Sequence, residues 1–217
     1  MKMTKDYIII HPYNIFSQGN PDNPEYNEQF DIVDMYEIEQ IDLTPYKCMI
    51  LLNFVDQEFL YGKRHIIEQF LNSKKIVCFF GNLITKFLPG QQLFIPKEIR
   101  GHWDYNISIA KPHPIFEGVL EDDMTTNRGV KGFFARGHHP SPDGAEILLT
   151  LPDGETVTFI DRQSSNGTIL MHSGGNLFKY ARMGEQIENT TNRISPQLMN
   201  WVQEEFIRLQ EGVKLNA

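Results

Sequence analysis

The sequence predicts an α/β domain of three layers, built on a mostly parallel central sheet with an added antiparallel hairpin. Three observations carry this. Two continuous apolar runs, residues 48–52 and 76–80, lack the alternation of a half-wet strand and read as strands covered on both faces. Between them, residues 57–72 set Phe59, Ile66, Ile67, Phe70 and Leu71 on one side at helical spacing. A strand, a helix and a strand joined by short connections form a right-handed crossover between parallel neighbours. Beyond Asp123 the pattern changes to strand and turn, with Pro152-Asp153-Gly154 as a hairpin turn in which Pro presets φ and Gly accepts a positive one.

The remaining elements follow in order. Tyr7-Ile8-Ile9-Ile10 is a β-branched first strand ending at His11-Pro12. Residues 14–28, rich in Asn, Pro and Gly, read as a long loop with at most a short helix over 25–30. Residues 32–36 suit a second strand, and Pro45 leads into the third, which ends at Asn53. Asp56 is placed to cap the crossover helix, because its carboxylate can accept from the free N–H groups of the first turn. Residues 83–100, broken by Pro89-Gly90 and Pro96, form an irregular insert, followed by a strand at 107–110 and a proline-punctuated connection over 111–119. Later strands fall at 130–135, 145–150, 156–161 and 168–171. A closing helix takes Ser195 as N-cap and Pro196 at its first position, buries Leu198, Trp201, Val202, Phe206 and Leu209, and frays past Gly212. With no repeat and no linker, residues 1–217 read as one domain.

Bulk properties narrow the function. Twenty basic against 28 acidic residues give a formal charge of −8, the wrong sign for a nucleic-acid or anionic-membrane surface. No apolar run is long enough to span a bilayer, and the N-terminus lacks a signal-peptide pattern. Cys48 and Cys78 both lie in apolar strands and read as reduced core thiols, so a cytoplasmic protein is expected. No HxH, HxxxH or CxxC spacing occurs, and His138-His139 on an extended segment point to opposite sides, so neither a metal nor a cofactor is expected.

The chemistry-bearing residues gather where strands end. In an open α/β sheet, ligands sit beyond the carboxyl ends of the strands. Asn53, Gly81-Asn82 and His172-Ser173-Gly174 all fall at such ends, and backbone N–H groups after Gly174 suit an anion. Arg136, in the basic-aromatic stretch 128–137, offers a fork for a phosphate or carboxylate, although the same stretch also reads as a strand with charged ends. Cys78 or Ser173 paired with His172 is the candidate catalytic set. The turn Ser164-Ser165-Asn166-Gly167-Thr168 is similar to one in forkhead-associated phosphothreonine-binding domains. Those are all-β, so an Asn-Gly hairpin turn is the favoured reading here.

Together these residues carry a resemblance. The strand ending at Leu52-Asn53, the crossover helix and Lys75-Ile76-Val77-Cys78-Phe79-Phe80-Gly81 look like the centre of the class I glutamine amidotransferase-like superfamily, a flavodoxin-like arrangement. Lys111-Pro112-His113-Pro114-Ile115-Phe116-Glu117-Gly118-Val119 is similar to a connection in its trehalose-utilisation-type relatives. The hairpin over 145–161, and Ser165 to Met171 before a final helix, also resemble pieces of those proteins. Active members place a cysteine between glycines at the sharp strand-to-helix turn, with a histidine and a glutamate two residues on. Here Phe79-Phe80 occupy the turn, Cys78 comes too early, and position 174 beyond His172 is glycine. The resemblance therefore implies a catalytically degenerate module that binds a small ligand or a partner protein; the alternative is a hydrolase or transferase with relocated Cys/Ser-His chemistry.

Overall fold

In a computed structural model of the chain, residues 5–14, 28–127, 129–182 and 189–212 are described. Eight strands form the central sheet: β1 (Tyr7–His11), β2 (Phe30–Asp34), β3 (Cys48–Leu51), β4 (Ile76–Phe80), β5 (Ser108–Ile109), β6 (Glu146–Thr150), β7 (Thr156–Asp161) and β8 (Thr168–His172). Their order is β2-β1-β3-β4-β8-β7-β6-β5. From β2 to β8 every pairing is parallel; β7, β6 and β5 then add on antiparallel. The expected fold class is thus the observed one, with the hairpin β6–β7 extending one edge.

The crossover from β3 to β4 carries two helices, α1 (Gln57–Gly62) and α2 (Arg64–Asn72), where one was expected. Lys63, at φ −108° and ψ 12°, interrupts them. Asp56 caps α1 as its position implies, accepting from the Phe59 N–H at 3.0 Å. Leu60, Ile67, Phe70 and Leu71 pack on one sheet face with Met49, Val77 and Phe79. The opposite face receives α4 (Ile194–Glu211), whose Leu198, Trp201 and Val202 meet Ile50, Cys78 and Leu170. A third helix, α3 (Glu121–Thr125), is a single turn in the connection after β5.

β4 lies between both layers, all five of its side chains buried: Ile76, Cys78 and Phe80 toward α4, Val77 and Phe79 toward α1 and α2. Burying one such aliphatic or aromatic side chain contributes about 1.5–3 kcal/mol. This explains the uninterrupted apolar run, since neither face of the strand meets water.

Three expectations are corrected. The second strand is Phe30–Asp34 and ends where residues 35–40 coil into a 3₁₀ turn capped by Asp34. Residues 130–135 are no continuous strand: Val130–Lys131 pairs with Thr126–Asn127, and Gly132, at φ 85°, then turns the chain away. Ser195 lies inside α4, and its hydroxyl donates to the Phe178 carbonyl at 2.8 Å, a tertiary bond in place of a cap. The loop expected over 14–28 falls almost wholly outside the described residues, as do Arg128 and the tail beyond Gly212. No helix among the described residues is long and apolar enough to cross a membrane.

Candidate functional site

The sheet topology brings four segments to the carboxyl ends of β3, β4 and β8. After β3 the chain turns at Asn53-Phe54, with Phe54 at φ 64°. After β4 it turns at Gly81, at φ 126°, whose N–H donates to the His172 carbonyl at 3.0 Å. A Cβ at Gly81 would stand 2.7 Å from the Cβ of Asn53 and 2.9 Å from its Cα, so the two strand ends approach as closely as only glycine permits. After β8 come Ser173-Gly174-Gly175. The segment 132–136 returns over them: a Cβ at Gly174 would lie 1.9 Å from the Phe134 carbonyl oxygen.

These segments enclose a pocket of about 560 Å³. Its polar lining comes from Asn53, Gln57, Asn82, Arg136, Ser173 and the backbone at Gly174-Gly175. Its apolar lining comes from Phe54, Val55, Ile84, Phe133, Phe134 and Ala135. Phe54, Ile84 and Phe133 are 57%, 69% and 58% exposed, large apolar surfaces gathered at one mouth. Gln57 holds the floor rigid: its amide donates to the Asn82 carbonyl at 2.7 Å and accepts from the N–H groups of Ile84 and Thr85. Arg136 donates from Nε to the Gly132 carbonyl at 2.8 Å, and no described carboxylate pairs with it. Asn53, Gly81, Asn82 and Gly174, expected at this rim, and Arg136, expected as an anion fork in a separate stretch, line this one cavity together with Ser173.

The candidate catalytic set is arranged differently. Cys78 is fully buried in the sheet, its Sγ 3.7 Å from that of Cys48, and β4 pairs it with Leu170. His172 is paired with Phe80, so an aromatic side chain occupies the place beside the imidazole where a nucleophile would be needed. The reason is the strand itself: Cys78 sits in mid-β4, packed on both neighbours before the chain reaches the rim. Ser173 is buried, and its hydroxyl donates to the Gly137 carbonyl at 2.8 Å. His172 is also fully buried, shares a 2.7 Å hydrogen bond with Thr158 through Nδ1, and lies between Phe80 and Phe134. Burial, then the charges of His139 and Lys179, lower its pKa to about 3. It is therefore neutral across the physiological range.

His139, on the segment expected to be extended, is fully buried beside Phe79 and Phe94. Its Nε2 accepts the Leu83 N–H at 3.0 Å, and burial, then the charge of His138, lower its pKa to about 4. Sequence reasoning also missed Phe54, Gln57 and Ile84 as lining. The signal for Phe54 was available, since it is a large apolar residue directly after the strand-end Asn53, and Ile84 lies two residues beyond Asn82. Phe133 belongs to the basic-aromatic stretch 128–137 and reaches the rim where Gly132, at φ 85°, redirects the chain. Among the described residues no cluster of three or more His, Cys, Asp or Glu is disposed to hold a metal ion. A further cleft of about 460 Å³ between residues 38–44 and α2 contains Lys75, whose ammonium is already bonded to the Leu43 and Thr44 carbonyls.

No protein-family profile matches the chain, and no curated protein matches it at a significant level. Solved structures do. A cytoplasmic protein from Salmonella typhimurium LT2 superposes with a TM-score of 0.52 at 7% identity, covering 92% of this chain and 98% of that one. The mmIFT52 N-terminal domain gives 0.49 at 9% identity over 90% and 96%. A glutamine amidotransferase from Thermotoga maritima gives 0.47 at 11% identity over 96% and 85%. At such identities the likeness concerns the fold alone.

Proposed function

We propose that the protein is a non-covalent binding module, taking up a small ligand in the pocket at the carboxyl ends of β3, β4 and β8. One observation carries this reading: Asn53, Gly81, Asn82, Arg136 and Gly174 converge on a single cavity of about 560 Å³ whose walls offer no unengaged nucleophile. The size falls within the usual range for small-molecule sites, and the mix of apolar wall with few polar groups is the usual composition. The alternative of relocated chemistry needs a thiol or hydroxyl beside an accessible imidazole. The burial of Cys78, the bond from Ser173 to Gly137 and the burial of His172 all weigh against it.

Native mass spectrometry of gently purified protein, compared with the denatured chain, tests the reading through a copurifying small molecule. A thermal-shift screen follows, because a ligand present at 100 times its Kd adds about 2.7 kcal/mol of stability. Hydrolysis of an amide or ester that Ser173→Ala abolishes, in a variant that still folds, would overturn the proposal and restore the enzymatic alternative.

A further inference from the structure

We infer that the ligand of this pocket is a small organic monoanion, a carboxylate joined to a flat or branched apolar body, anchored by Arg136. The inference rests on the binding role proposed above and gives it a chemistry. The protein as a whole carries a formal charge of −8, yet none of the described residues lining this cavity is acidic. Arg136 is its one cation. The bond from Nε to the Gly132 carbonyl fixes the guanidinium plane and leaves both terminal nitrogens without a described carboxylate partner. That is the fork which carboxylates meet with two parallel hydrogen bonds.

Other donors line the same cavity. The backbone N–H groups of Asn82, Gly174 and Gly175 donate to no described acceptor, and all three residues line the cavity. Asn53 also lines the cavity, and its Oδ1 is buried without a partner among the described residues. A cavity supplied with donors and a single positive charge, without an acid, selects an anion. One guanidinium balances one negative charge; a phosphate monoester, with nearly two, would bring charge that nothing on the wall compensates. Phe133, Ile84 and Phe54 at the mouth, with Val55 and Ala135 behind, then require that the rest of the ligand be apolar.

The test uses the full chain labelled with ¹⁵N and three probes of similar shape: 3-phenylpropanoate, its neutral amide 3-phenylpropanamide, and phenyl phosphate. Amide resonances of Asn82, Gly174 and Gly175 are followed on titration. The carboxylate is expected to move them saturably and to bind about tenfold or more tightly than either other probe. Arg136→Gln removes most of that preference and leaves the amide's weak affinity unchanged. Arg100→Gln, which removes the same charge from an exposed Glu98-paired site, leaves all three affinities unchanged. Arg136 is exposed, so its replacement does not endanger the fold. Equal binding of carboxylate and amide at these resonances would overturn the anion assignment while leaving the pocket a binding site. Tighter binding of phenyl phosphate would overturn the monoanion assignment in the same way. Shifts confined to residues away from the cavity, or none with any probe, would overturn the inference, while a copurified neutral molecule in the mass spectrum would still uphold the binding role.

Discussion

Gly81 is the residue on which the shape of the site depends most directly, and replacing it with alanine separates two costs. Its φ of 126° is one that side chains rarely adopt, and the new Cβ would also press on the Cβ and Cα of Asn53, at 2.7 and 2.9 Å. Gly154, in the β6–β7 turn, supplies the control: its φ is 80° and nothing lies within 4 Å of an added Cβ. Gly154→Ala should therefore cost only the backbone strain, about 1–2 kcal/mol. Gly81→Ala adds the overpacking of a neighbouring strand end, a further ~1–3 kcal/mol, because the opposing atoms include backbone. The total, about 2–5 kcal/mol, is a large share of the 5–15 kcal/mol typical of a domain. Urea unfolding of the two variants beside the parent measures the difference. In melting temperature the extra cost corresponds to roughly 2–4 °C for each kcal/mol in a chain of this size. Equal destabilisation of the two variants would refute the close approach of β3 and β4 at the rim, and with it the geometry that places Asn53 in the pocket wall.

Two other perturbations follow from buried polar groups. His172 and His139 have native pKa values lowered from 6.5 to about 3 and about 4, so the unfolded chain binds more protons and stability falls as pH drops below 6.5. Each should cost about 2 kcal/mol by about pH 5; the slope of unfolding free energy against pH should lose about one proton in His139→Gln, and an unchanged slope would refute the assignment. Glu205 accepts from Arg162, Arg208 and the Thr168 hydroxyl; burial raises its pKa, but these bonds outweigh that and hold it at about 2. Glu205→Leu should cost about 3 kcal/mol in urea unfolding, since Arg162 keeps only Glu146; a loss under about 1 kcal/mol would show the network to be dispensable.

Much of this arrangement is legible in the sequence because it follows from local rules. A strand covered on both faces has no polar residue to alternate with, so β3, β4 and β8 declare themselves, and the topology then places Asn53, Gly81-Asn82 and Ser173-Gly174 at one rim. Other features depend on distant partners. Asp34 ends β2 early by capping the turn at 35–40, and Ser195 gives up its expected cap to bond Phe178, a choice only the folded chain presents. Nothing in the local sequence marks His139 as buried until the 83–100 insert packs Phe94 against it and gives its Nε2 the Leu83 N–H. Phe133 enters the site through a turn at Gly132 that its neighbours do not specify.

The burial of the β4 terminus is a matter of strand length as well as residue type. An exposed elbow needs the chain to leave the sheet at the nucleophile, so that its side chain clears both packing layers. Here β4 remains paired to β8 through Met171 with Phe79 and His172 with Phe80, and the turn comes only at Gly81. Phe79 points into the α1–α2 layer, with Phe87 at 5.9 Å and His139 at 6.2 Å; Phe80 points to the other layer, against Phe178 at 5.9 Å. A thiol placed at either position would be sealed beneath side chains. Phe79→Cys should accordingly create a buried cysteine that alkylates no faster in the native protein than Cys48 and Cys78, both fully buried. It should cost about 3 kcal/mol, near the lower end for truncating a buried Phe because sulfur refills part of the space. Labelling rates by mass spectrometry, in native buffer and in urea, decide the matter. Rapid native alkylation at position 79, with Cys48 and Cys78 still protected, would mean that the strand end opens as an elbow does. Exposure at the end of β4 would then depend on one residue. Protection equal to that of the core thiols would mean that placing an exposed side chain there requires shortening β4 itself.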